Sequence, residues 1–271
     1  KAPPLPAKPA RHQILIRMKN LRLTFVMSSL LLGLSTWAQT GNVETTVKEC
    51  LEQLPTQDSK TYSQVMERLV TNGGEAIVLL SSQMDKAGKA QDAKYEYAIG
   101  GIVDYTMMKG TEKNRTGIID GLTQALKACT DNPNRAFLMS ELQKCGTARE
   151  FRVYCNYLND AYLQDYAISG IAKLPGVDKK TVKLIKSAKA PREKLAYLAY
   201  FKKLKGAEKT LLRWLPEADE KTKASIYMAL TTCGSNKSLP ILEEAARNVD
   251  YKVDATGATD AYLQLKENLG K

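Results

Sequence analysis

The chain has 271 residues, enough for one or two ordinary domains, and a formal charge of +11 from 40 Lys and Arg against 29 Asp and Glu. Its only histidine is His12. Everything beyond that point therefore lacks the imidazole that a Ser-His-Asp triad, a His-activated thiol or an imidazole metal site requires. Carboxylate and lysine chemistry pass this test.

Residues 1–17 are rich in Pro, Ala and Lys and hold no methionine, so they are read as a segment without structure ahead of Met18. Residues 18–38 read as a signal peptide. Lys19 and Arg22 form a basic start, Leu23 to Leu34 a short apolar core, and Thr36 and Ala38 the small residues of a cleavage site, with Gln39 the first mature residue. The apolar run is too short and wrongly flanked for a membrane span. No cysteine follows Ala38 to take a lipid, so no stable membrane anchor is expected after cleavage. The expected location is outside the cytoplasm: periplasmic, extracellular or at the cell surface. Lys1, Lys8, Arg11, Arg17, Lys19 and Arg22 all precede position 39 and no acidic residue does, so about half of the positive excess lies in this stretch. The modest balance left on residues 39–271, together with export, argues against nucleic acid as a partner.

The segment 39–271 reads as a repeat array. Leu69-Val-Thr-Asn-Gly73, Leu142-Gln-Lys-Cys-Gly146 and Leu230-Thr-Thr-Cys-Gly234 share a pattern, and further glycines that end helices stand at Gly110, Gly176, Gly206 and Gly270. From Gly146 they recur about every 30 residues, with room for two short helices per step, which is the spacing of an α-solenoid. Glycine is expected there in the left-handed conformation that follows a helix. Leu163, Ala167, Ile171 and Leu174 fall on one helical face, as do Ile226, Leu230 and Cys233, and Ala258, Tyr262, Leu265 and Leu269. Val182 and Ile185 mark one shorter partner helix; Leu211, Leu212 and Leu215 mark the next. Asn132 is an expected cap with Pro133 in the first turn, Pro191 opens another helix, and Asp178 and Asp219 are expected N-caps. Alternating β-branched runs are nearly absent.

The stretch Tyr157-Leu-Asn-Asp-Ala-Tyr-Leu-Gln-Asp-Tyr-Ala-Ile-Ser-Gly-Ile171 resembles the turn and second helix of HEAT repeats, and Ser238-Leu-Pro-Ile-Leu-Glu-Glu-Ala245 resembles their proline-containing first helix. The resemblance implies an all-α fold, a right-handed α-solenoid of about six HEAT-like helix pairs between roughly Val43 and Leu269. Thr45-Thr-Val-Lys-Glu-Cys-Leu-Glu-Gln-Leu-Pro55 and Tyr97-Ala-Ile-Gly-Gly-Ile-Val-Asp-Tyr105 are similar to the N-terminal helical region of secreted bacterial proteins with a C-terminal 3-keto-disaccharide hydrolase domain. That likeness carries no catalytic residue over, since the hydrolase chemistry of those proteins lies in a β-sandwich. The chain stops just after a repeat helix without a polar cap, so a longer parent chain is expected.

Tyrosine is the dominant aromatic, 13 against four Phe and two Trp. Tyr154, Tyr157, Tyr162, Tyr166, Tyr197 and Tyr200 cluster mid-chain, either as a face that stacks on sugar or peptide or as fillers of gaps between helices. Lys179, Lys183 and Lys186 share a helix face at i, i+4 and i+7, with Lys180 and Lys189 nearby: a solvated face, or one that attracts an anionic lipid surface or polysaccharide. Glu217, Asp219 and Glu220 place carboxylates close together, as acid–base catalysis needs, but they also begin a helix, where negative charge is favoured. Cys50, Cys129, Cys145, Cys155 and Cys233 have no CxxC spacing and read as small buried residues, with one thiol at least unpaired by the odd count. No Walker A loop or GxGxxG fingerprint is present. No catalytic residue, cofactor or metal ligand is assigned. The expectation is a non-catalytic protein-binding or scaffold module that uses the concave face of its array, with a protein or carbohydrate partner. The alternative is the N-terminal accessory region of a secreted carbohydrate-active hydrolase.

Overall fold

The computed structural model describes residues 42–87 and 89–271; the predicted export segment 18–38 and the stretch 1–17 lie outside the described residues. Among the described residues every regular element is helical and none is a strand. The first half comprises α1 (residues 42–52), α2 (Ser59–Thr71), α3 (Gly73–Ala87), α4 (Lys89–Thr106), α5 (Arg115–Ala128), α6 (Asn132–Cys145) and α7 (Phe151–Cys155). The second comprises α8 (Gln164–Lys173), α9 (Asp178–Ser187), α10 (Arg192–Phe201), α11 (Glu208–Trp214), α12 (Glu220–Cys233), α13 (Leu239–Arg247) and α14 (Ala258–Asn268).

Local chemistry explains several boundaries. Asp219 caps α12 by accepting from Thr222 N at 2.8 Å. Asp131, one residue before the expected position, caps α6 by accepting from Asn134 N at 3.1 Å, with Asn132-Pro133 in the first turn. Asp178 is no cap: it is the first residue of α9, and its carboxylate lies 3.2 Å from Lys202 Nζ. Asp160 accepts from Tyr162 N and Leu163 N and so folds the turn that leads into α8.

Of the glycines expected to end helices, Gly206 ends none: it lies inside the 3-10 turn Lys205–Ala207 that leads into α11. The others divide into two kinds. Gly73, Gly110, Gly176 and Gly270 have the expected left-handed backbone. Gly146 and Gly234, in the shared Leu-x-x-Cys-Gly motif, are extended instead, with φ of −61° and −71°. There the requirement is space: a Cβ on Gly146 would stand 2.8 Å from Leu142 O and one on Gly234 2.4 Å from Leu230 O. The motif's leucines and cysteines, Leu142, Cys145, Leu230 and Cys233, are wholly buried.

The helices pack in a regular order. α2 packs on α4, α4 on α6, α6 on α8, α8 on α10, α10 on α12 and α12 on α14, so the even-numbered helices form one continuous layer. Each odd-numbered helix from α3 to α13 packs on the even one that follows it, but α3 and α5 apart, the odd helices from α3 to α13 touch one another sparsely or not at all. Leu163, Ala167, Ile171 and Leu174 are all buried, as the helical spacing predicts, and a single apolar core runs from Val43 to Leu265.

Side chains from adjacent helices close the carbonyl ends of the even layer. A helix leaves its last four carbonyls without internal donors and carries partial negative charge there. Arg115 Nε donates to Cys145 O at 2.9 Å at the end of α6. Lys202 Nζ donates to Ala172 O at 3.2 Å and Leu174 O at 3.1 Å at the end of α8. Thr232 Oγ1 donates to Tyr200 O near the end of α10, and Asn268 Nδ2 to Thr231 O near the end of α12. The Arg115, Lys202 and Thr232 bonds span 28 to 32 residues, the same step as the glycine recurrence.

Candidate functional site

The six mid-chain tyrosines do not form one face. Tyr154 on α7 has no exposed surface; its hydroxyl donates to Met139 O at 3.1 Å, and its ring lies against Gly170 of α8. It cannot stack on a ligand, because an inter-helix gap has taken its whole ring. Tyr157 is half-buried, with its hydroxyl 3.5 Å from Leu126 O. Tyr200 is half-buried and meets Phe201 edge-on at 5.5 Å between centroids. Tyr162 and Tyr166 are exposed, at the turn before α8 and on its outer side.

Tyr197 belongs to a groove. α8 and α10 run side by side in the even layer, and between them opens a groove of about 580 Å³ lined by Asp165, Ile168, Ser169 and Ala172 on one side and Lys194, Tyr197 and Phe201 on the other. Ile168 is buried and supplies an apolar floor. Phe201 leaves 59% of its surface exposed at the end of α10, the largest exposed aromatic surface among the described residues. Helical spacing in Arg192–Phe201 already places Lys194, Tyr197 and Phe201 on one stripe, so the pattern was present in the sequence. What it lacked was α8 as the opposite wall.

Charge is arranged along this layer. Lys194 Nζ lies 2.5 Å from Asp165 Oδ1, and Lys221 of α12 lies 2.9 Å from Glu193 of α10. Gln143 of α6 donates to Ser169 Oγ of α8. Towards the start of the chain the layer carries Tyr62 and Tyr97, edge-on at 6.2 Å, and Glu141, whose carboxyl burial pushes above the usual range while Lys144, 2.9 Å away, opposes the shift.

Groups that could perform chemistry are committed elsewhere. Asp219 is the cap of α12, and hydrogen bonds from the Thr222 side chain and backbone hold its carboxyl below the usual range. Glu217 lies 3.4 Å from Arg192. All five cysteines are unbridged. Burial pushes the Cys145 and Cys233 thiols up to about 12 and Cys155 to about 11, so none is a thiolate near neutral pH. Among the described residues no group of three or more His, Cys, Asp or Glu could hold a metal ion, and no helix is long and apolar enough to cross a membrane.

Compared with known proteins, the chain is matched by no family model, no curated protein and no solved structure.

Proposed function

We propose that residues 39–271 form a HEAT-like α-solenoid that acts as a non-catalytic binding module, with the even-numbered helices as its concave contact face. The observation that carries this reading is the α8–α10 groove, where the exposed Phe201 ring and Tyr197 stand over the apolar floor of Ile168. Two features support the solenoid. The pairs pack in chain order, and the even layer is continuous while the odd helices are sparse in mutual contact, as expected when the first layer is the inside of a curve. Aromatic side chains in a partly apolar groove are the usual anchors of a protein interface. The favoured partner is therefore a peptide segment or protein surface with an apolar side chain to place against Phe201. The setting outside the cytoplasm rests on the 18–38 segment alone. No observation on the described residues favours an accessory role beside a hydrolase over this one.

Selection of a displayed peptide library on the purified chain tests the proposal. Selected peptides are expected to lose about 2 kcal/mol of binding, some thirtyfold in affinity, in the Phe201→Ala Tyr197→Ala double variant. Peptides that bind the variant as well as the parent chain would place the contact face elsewhere. Turnover of a glycoside by the purified chain would overturn the non-catalytic reading.

A further inference from the structure

The lysine stripe of α9 has a counterpart that the sequence does not bring near it. α9 buries Thr181 and Ile185 and turns Lys179, Lys183 and Lys186 to solvent. The connection from α10 to α11 crosses beside it. Lys205–Ala207 packs on α9, and Gly206 lies so close to Val182 that a Cβ there would touch it at 3.4 Å. This brings exposed Lys203 and Lys205 up to the α9 stripe, and a groove of about 490 Å³ lies between the two. It shares no lining residue with the α8–α10 groove.

The groove's charge is of one sign. Among the described residues its only carboxylate, Asp178, is 3.2 Å from the Lys202 ammonium, which is itself turned to the carbonyls that end α8. Asp178 and Lys202 thus offset one another, and five further lysines face the same space. Lys205 donates to Gly234 O at 3.4 Å, a weak tie for an ammonium with three donors. Lys203 has a left-handed backbone with φ of +50°, a position that glycine holds at lower cost, yet a lysine stands there.

We propose that this groove binds a linear acidic polysaccharide, a sugar chain with carboxylate or sulfate groups along its length. A row of cations flanking a concavity concentrates an anionic polymer through the summed field. At a rise of 1.5 Å per residue, the α9 lysines follow one another by about 6 and 4.5 Å along the helix axis, comparable with successive units of a sugar chain. Lysine rather than arginine suits anions held as point charges and not as planar bidentate partners. Three other polyanions lack a foothold. No aromatic ring lines the groove to stack the bases of a single-stranded nucleic acid. No large exposed apolar side chain lines it to enter a membrane or to anchor an acidic peptide.

Binding of fluorescently labelled polygalacturonate oligosaccharide to the purified full chain tests the proposal, with neutral dextran as the uncharged comparison. Saturable binding that weakens as salt is added is expected for polygalacturonate and not for dextran. The Lys183→Glu Lys203→Glu variant is expected to bind at least about tenfold more weakly, and Lys48→Glu, an exposed lysine on α1, to bind as the parent does. Both altered lysines are exposed, and circular dichroism melts would confirm that each variant folds; Lys183→Gln Lys203→Gln gives a milder second version. The proposal is overturned if polygalacturonate does not bind at low ionic strength, or if Lys48→Glu weakens binding as much as the double variant. It is equally overturned if a single-stranded oligonucleotide, polyglutamate, or vesicles of equal parts phosphatidylcholine and phosphatidylglycerol bind more tightly than polygalacturonate.

Discussion

Tyr154 owes its place to Gly170. The ring fills the space above the α8 backbone where any other residue would carry a Cβ, and a Cβ on Gly170 would stand 2.2 Å from the ring. Neither side can yield cheaply, since Tyr154 is wholly buried and its hydroxyl is fastened to Met139 O in α6. Gly170→Ala is therefore expected to destabilise the chain by about 1–3 kcal/mol through overpacking, although alanine is the better helix former. A urea unfolding midpoint at or above that of the parent would show that the ring can move aside. The pair also explains why a count of tyrosines misleads: the side chain is the same in Tyr154 and Tyr166, but only Tyr154 is met by a glycine on the adjacent helix.

Between elements, the recurring device is a polar side chain from one helix that closes the carbonyl end of another. Lys202 is the fullest case. It leaves the end of α10, satisfies Ala172 O and Leu174 O at the end of α8, and pairs with Asp178 at the start of α9. Lys202→Met keeps the length and apolar stem of the side chain but removes all three contacts. A loss of about 1–3 kcal/mol is expected, the cost of leaving partly buried polar groups without a partner, and it should be read from the thermal or urea midpoint. A loss within a few tenths of a kcal/mol would mean that water replaces the ammonium freely. These bonds tie the end of α10 to the end of α8, the two helices between which the groove opens.

In the proposed solenoid, stability is shared between neighbours: a pair of short helices cannot bury its apolar stripe alone, and each gains a core from the next. Ile171 lies in the middle of this stack and has no exposed surface. Ile171→Asp is expected to cost about 3 kcal/mol or more by burying an unpaired charge, with amide protection lost first in α7 to α10 and last in the helices furthest along the chain. Hydrogen exchange resolved by peptide checks the order. A loss spread evenly from α2 to α14 would show one cooperative unit in place of coupled pairs.

The sequence by itself determined the all-helical class, the recurrence near 30 residues and the buried faces of α8, α12 and α14. The helical class and the buried faces follow from local periodicity: an apolar stripe at helical spacing has one low-energy use. The caps were legible in part: Asp219 acts where it was expected and Asp131 does the work assigned to Asn132, but Asp178, read as a cap, is the first residue of α9 and pairs with Lys202. Tertiary structure alone decided which glycines need a left-handed backbone and which need space, because the atom that excludes a Cβ at Gly170 belongs to another helix. It also decided which tyrosines reach solvent. Both grooves are of this kind: Phe201 faces Ile168 across α8 and α10, and Lys203 and Lys205 meet the α9 lysines, only because one pair is set beside the next. Helical spacing assigns a side chain to a face; what stands opposite that face is a property of the packing.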